Sequence, residues 1–95
     1  MFFPKSVAAK IPKLYSQENV KDPLVMVKFF NPYGMGTWYV TEYDGDNTFF
    51  GLVDLFEKEM GYFSLSELKS VKTPMGLPLE RDIHFKPTPL STFRK

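Results

Sequence analysis

The stretch Gly36 to Leu68, GTWYVTEYDGDNTFFGLVDLFEKEMGYFSLSEL, confines this chain more than any other part of it. Thr37 to Tyr43 is rich in β-branched and aromatic residues, which suit a pleated, half-buried strand. Its alternation sends Trp38 and Val40 to one face and Tyr39, Thr41 and Tyr43 to the other. Asp44-Gly45-Asp46-Asn47 follows, and an Asp-Gly pair between such runs marks a tight hairpin. Thr48 to Phe56 is a further strand. A turn through Glu57-Lys58-Glu59 then leads into a short one, Met60 to Phe63. Strands this close in sequence pair most simply as an antiparallel meander.

The flanks extend the pattern. Leu24 to Asn31 reads as the first strand, apolar on both faces, with Met26 and Phe30 on one side and Val25, Val27 and Phe29 on the other. Such a strand is covered on both sides or central. Asn31-Pro32-Tyr33-Gly34 supplies its turn. After the fourth strand, Ser64 and Glu67 form a Ser-x-x-Glu capping box, in which each side chain bonds the other's backbone N–H. Leu65, Leu68 and Val71 then lay one apolar stripe of a short helix, Leu65 to about Lys72, on the sheet. Thr73-Pro74-Met75-Gly76-Leu77-Pro78 stops it. Leu79 to Lys86 alternates as a fifth, edge strand, with a single helical turn as the alternative, and Pro87 and Pro89 blunt its end.

The expectation is an α+β domain: an antiparallel meander of four to five strands with one short helix packed after the fourth. One domain fills residues 1–95, with an irregular arm over 1–23 anchored by Ile11, Leu14 and Tyr15, a core over 24–86 and a tail over 87–95. Ten Phe, five Tyr and one Trp supply the core of so short a chain, since each buried ring removes roughly 150–250 Å² from water. With no Cys, disulfides and Cys-based metal sites are excluded.

Composition also narrows function. Twelve basic against eleven acidic side chains, net +1, lack the basic excess of most nucleic-acid binders. Both ends are nonetheless basic, with Lys5, Lys10 and Lys13 near the start and Lys86, Arg94 and Lys95 near the finish. No apolar run approaches the ~18–20 residues of a membrane span, and the opening residues lack signal-peptide order. A cytoplasmic protein is expected.

Candidate chemistry is sparse. In an extended segment Glu80, Asp82 and His84 would share a face, and two carboxylates with one imidazole suit Mg²⁺ or Mn²⁺. Glu42, Asp44 and Asp46 could add carboxylates if that hairpin end lay close. An ordinary solvated strand face has the same pattern, and a helical turn would separate the three. His84 is the only His, and no Gly-x-Ser-x-Gly elbow or phosphate loop accompanies it. Tyr39 and Tyr43, with Lys28 as a basic neighbour, could form a stacking or binding rim. The wider aromatic set, Trp38, Phe29, Phe49 and Phe63, reads as core.

Pro12-Lys13-Leu14-Tyr15, Val27 to Phe30, Thr37 to Asp44, Phe49-Phe50-Gly51, Leu52-Val53-Asp54, Gly61 to Leu65 and Gly76 to Asp82 together resemble a small bacterial domain-of-unknown-function family, number twenty-nine fifty-eight. The resemblance runs from about Ile11 to Ser91. It implies an accessory gene of plasmids, integrative conjugative elements or phages, and it brings no catalytic residues. By elimination the expected function is a non-enzymatic protein-interaction module with no cofactor, its partner a protein of the host or of the element. The alternative is nucleic-acid binding, or metal-dependent cleavage through Glu80, Asp82 and His84. Homodimerisation through an exposed strand edge stays open.

Overall fold

The computed structural model describes residues 3–71, 73 and 76–94. Met1, Phe2, Lys72, Pro74, Met75 and Lys95 lie outside them, and with them the expected helix end at Lys72, the Pro74-Met75 part of its stop and the last terminal lysine. The elements are α1 (Lys5–Ala8), β1 (Leu24–Val25), β2 (Val27–Phe30), β3 (Thr37–Tyr43), β4 (Thr48–Asp54), β5 (Lys58–Ser64), α2 (Leu65–Ser70), β6 (Glu80–Arg81) and β7 (Thr88–Pro89), with a final 3₁₀ turn at Leu90–Thr92. A five-stranded antiparallel sheet has the order β5-β4-β3-β2-β6, and β1 pairs separately with β7. The fold is the small α+β meander expected, with α2 directly after the fourth meander strand.

Its boundaries move in instructive ways. β4 stops at Asp54 and β5 starts at Lys58, so Leu55-Phe56-Glu57 forms the turn. No Gly, Pro or Asn marks that turn; the pairing of Asp54 with Lys58 sets its length. The expected fifth strand shrinks to Glu80–Arg81, because the Asp82 carboxylate and carbonyl accept the amides of His84 and Phe85 and curl the chain away.

Two irregularities in the backbone redistribute side chains between the faces. The first lies at Met26, where the chain passes from the β1–β7 pair to β2. Val25 therefore enters a core with Leu52 and Leu90, while Val27 and Phe29 join Trp38, Val40 and Phe49 on the opposite face. The expectation that Val25 shares a face with Val27 is corrected accordingly. The second is a β-bulge at Thr41: Val40 pairs with Gly51 but Glu42 pairs with Phe50, leaving Thr41 as the extra residue. A bulge shifts the alternation by one residue. Tyr43 thus lands on the Trp38 and Val40 face, not with Tyr39 as the simple alternation predicts.

The bulge also explains Gly51. A Cβ there would stand 1.8 Å from the Tyr39 carbonyl oxygen, so this close approach admits only glycine. The Trp38 face is closed by Ile11, Leu68 and Leu79, and the Tyr39 face by Leu90, Phe85 and Phe93. The sheet is a middle layer covered on both sides, which is why its central strands are apolar on both faces.

Candidate functional site

The residues singled out from sequence do not assemble as one rim. Lys28 and Tyr39 are directly paired across β2 and β3. The Lys28 ammonium lies 5.7 Å from the centre of the Phe30 ring. Tyr39 is half-buried beneath Phe93, their rings stacked at 4.3 Å, so the chain's own tail occupies the face a base would need. Burial, then the nearby Asp54 charge, raises the Tyr39 hydroxyl pKa. Tyr43 lies on the other side of the sheet, buried and stacked on Phe49 at 4.6 Å. Its hydroxyl donates to the Asp46 carbonyl. Burial, with Asp44 and Asp46 adding to it, raises this pKa too.

Glu80 is exposed at the end of β6, while Asp82 and His84 sit in the following turn. Among the described residues no three His, Cys, Asp or Glu side chains come together as a group able to hold a metal ion. Glu42, Asp44 and Asp46 serve local structure. Asp44 accepts the amides of Asp46, Asn47 and Thr48, closing the β3–β4 turn, and these bonds, that of Thr48 above all, lower its pKa.

Glu42 is a hub. It is 5% exposed, and its two carboxylate oxygens accept the backbone N–H groups of Tyr15 and Gln17, each at 2.8 Å. The Gln17 amide donates in turn to the carbonyls of Thr41 and Leu24 and accepts from the Leu24 N–H. β2 pairs only with residues 37–40 of β3, so the rest of β3 would present an open edge. The N-terminal arm covers it, and the Tyr43 N–H donates to the Pro12 carbonyl there.

Between this arm and the sheet runs a groove of about 330 Å³, lined by Tyr15, Gln17, Glu42, Phe50, Met60, Tyr62 and their neighbours. Phe50 and Tyr62 pair across β4 and β5 with ring centres 4.8 Å apart. A hydrogen bond with the Tyr15 side chain, ahead of burial, raises the Tyr62 hydroxyl pKa. Its buried polar floor is already committed: Glu42 to the arm, Gln17 to β1 and the bulge. The groove offers aromatic walls rather than reactive groups.

The least expected surface lies at one end of the sheet. The β2–β3 and β4–β5 turns emerge together there, since Thr37 pairs with Asp54 and a Cβ on Gly36 would stand 3.1 Å from a Leu55 methyl. Phe56 is 91% exposed, Met35 62%, Tyr33 43% and Leu55 39%. Asp54, Glu57 and Glu59 flank this apolar tip with Lys58 among them. A single strand over Thr48 to Phe56 would enclose Phe56, but β4 ends at Asp54. The only available signal was an apolar pair directly before Glu57-Lys58-Glu59.

A family model described as "Protein of unknown function (DUF2958)" matches residues 5–95. No curated protein and no solved structure matches. Among the described residues no helix is long and apolar enough to cross a membrane.

Proposed function

The chain belongs to this family of unknown function, and from that premise we propose that it is a non-enzymatic protein-interaction module which binds through the paired hairpin tips. The exposure of Phe56 carries the reading. A solvated aromatic in a turn contributes little to folding, whereas aromatics are enriched among the few residues that dominate binding at interfaces. Met35, Tyr33 and Leu55 surround it as the apolar centre of such a patch would. Three carboxylates against one ammonium at the rim select a partner protein with an apolar pocket bordered by Lys or Arg. The same charge disfavours an anionic lipid surface.

The proposal places the protein in the cytoplasm as a small accessory product of a mobile genetic element, the setting its family resemblance implies. The partner belongs to the host or to the element. Affinity isolation from the host cell, with and without nuclease, tests the reading in wild type and Phe56→Ser. A protein that is retained after nuclease and lost with Phe56→Ser supports it. Retention of nucleic acid alone, or of the same protein by both forms, overturns it.

A further inference from the structure

We propose that β5 is a self-pairing edge: two copies of this chain join antiparallel through β5, about a twofold axis at Gly61, to make one continuous sheet. β5 is the outermost strand, seven residues long and without proline, and no described strand pairs with its outer side. The opposite edge, β6, has only two residues. Long edges are commonly blunted by proline, bulges or charge. Here the charges, Lys58 and Glu59, stand at one end.

Gly61 is the second observation. Among the described glycines only Gly36, Gly45 and Gly76 have positive φ, so the Gly61 backbone admits any residue. A Cβ built on Gly61 meets nothing within 4 Å. Its cross-strand partner Gly51 is fixed by the Tyr39 carbonyl, yet none of the described residues fixes Gly61. A glycine within a strand often marks a bulge or a place where another backbone approaches closely, and the β4–β5 register runs through Gly61 without a bulge.

The strand's own sequence chooses a second copy as that neighbour. With Gly61 on the axis, Met60 of one copy opposes Tyr62 of the other, Glu59 opposes Phe63, and Lys58 opposes Ser64. No like charges face each other. Tyr62, 57% exposed in the single chain, gains a sulfur–aromatic contact. Moving the axis to Glu59 would oppose two carboxylates, which is destabilising. This pairing does not use Phe56, so its failure would leave the hairpin-tip reading standing.

Sedimentation velocity on wild type, Gly61→Lys, Gly61→Asp and an equimolar mixture of the two variants tests the proposal. Circular dichroism checks that each variant folds, as the open space around the Cβ allows. Wild type should be dimeric. Each variant alone should dissociate at least about fivefold more readily, because like charges oppose across the axis. The mixture should recover the dimer through opposed Lys and Asp. Independently, Gly61→Cys should cross-link to a disulfide dimer on mild oxidation, while Ser70→Cys should not. A monomeric wild type, variants that dimerise like wild type, or a mixture that stays monomeric would overturn the proposal, as would a Gly61→Cys chain that fails to cross-link.

Discussion

Tyr15 donates its backbone N–H to Glu42 while holding φ at 69°, the left-handed region that a bulky residue rarely enters. That turn aims the Tyr15 and Gln17 amides at one buried carboxylate. A left-handed residue costs roughly 1–2 kcal/mol, and the two charge-assisted bonds offset it. Glu42→Ala should therefore lower stability by about 1.5–3 kcal/mol, the range for losing hydrogen bonds to a charged group. Urea denaturation measures this. Hydrogen exchange at the Tyr15 and Gln17 amides should accelerate more than at Phe49. Unchanged exchange would mean that Glu42 does not hold the arm.

Trp38 packs in the main core at 7% exposure. Trp38→Ala should cost about 3–5 kcal/mol, the usual result for a large core aromatic. In wild type the indole fluorescence should be blue-shifted, moving to the water-exposed maximum only on unfolding.

The start of α2 has two supports. Ser64 Oγ accepts the Glu67 N–H at 3.0 Å. The return bond from the Glu67 side chain is not made among the described residues. Asn47 instead accepts the Leu65 N–H on its carbonyl and the Ser66 N–H on its side chain. Ser64→Ala should cost roughly 0.5–2 kcal/mol, and Asn47→Ala should also destabilise α2. Coincident urea midpoints for wild type and Asn47→Ala would remove the turn's role in starting the helix.

Acid should act through Asp44 and Asp22. The backbone N–H of Thr48, with those of Asp46 and Asn47, holds the Asp44 carboxyl below its ordinary 3.8. The Ser91 N–H and hydroxyl do the same for Asp22, tying the tail to the arm. For a lowered folded pKa, the stabilisation is complete above the unfolded value and is lost as pH falls through the folded one. The stability gap between wild type and Asp44→Ala should be flat from neutral down to about pH 4. It should then close in stronger acid. A gap that widens there would contradict the assignment.

The meander, the helix after it and the Trp38 face were legible because their signals are local: alternation, Asp44-Gly45 and Ser64-Leu65. Tyr43 departs from the simple alternation because a bulge depends on tertiary demand. At Thr41 it turns Glu42 toward an arm far away in sequence. The split at Met26 likewise follows from β1 pairing with the distant β7. His84 left the shared polar face because Asp82, itself a candidate ligand, caps the turn that displaces it. Phe56 looked like strand because burial, not residue type, distinguishes a strand aromatic from one presented to a partner.

Presentation by Phe56 is most directly tested by a photo-reactive phenylalanine analogue at position 56, irradiated in the host cell before nuclease treatment. Phe56→Ser should first unfold within about 0.5 kcal/mol of wild type, as an exposed position does. The photoprobe should then cross-link one protein. The same probe at exposed His84 should not capture that protein. Cross-linking from His84 but not from position 56, or from position 56 to nucleic acid alone, would contradict it.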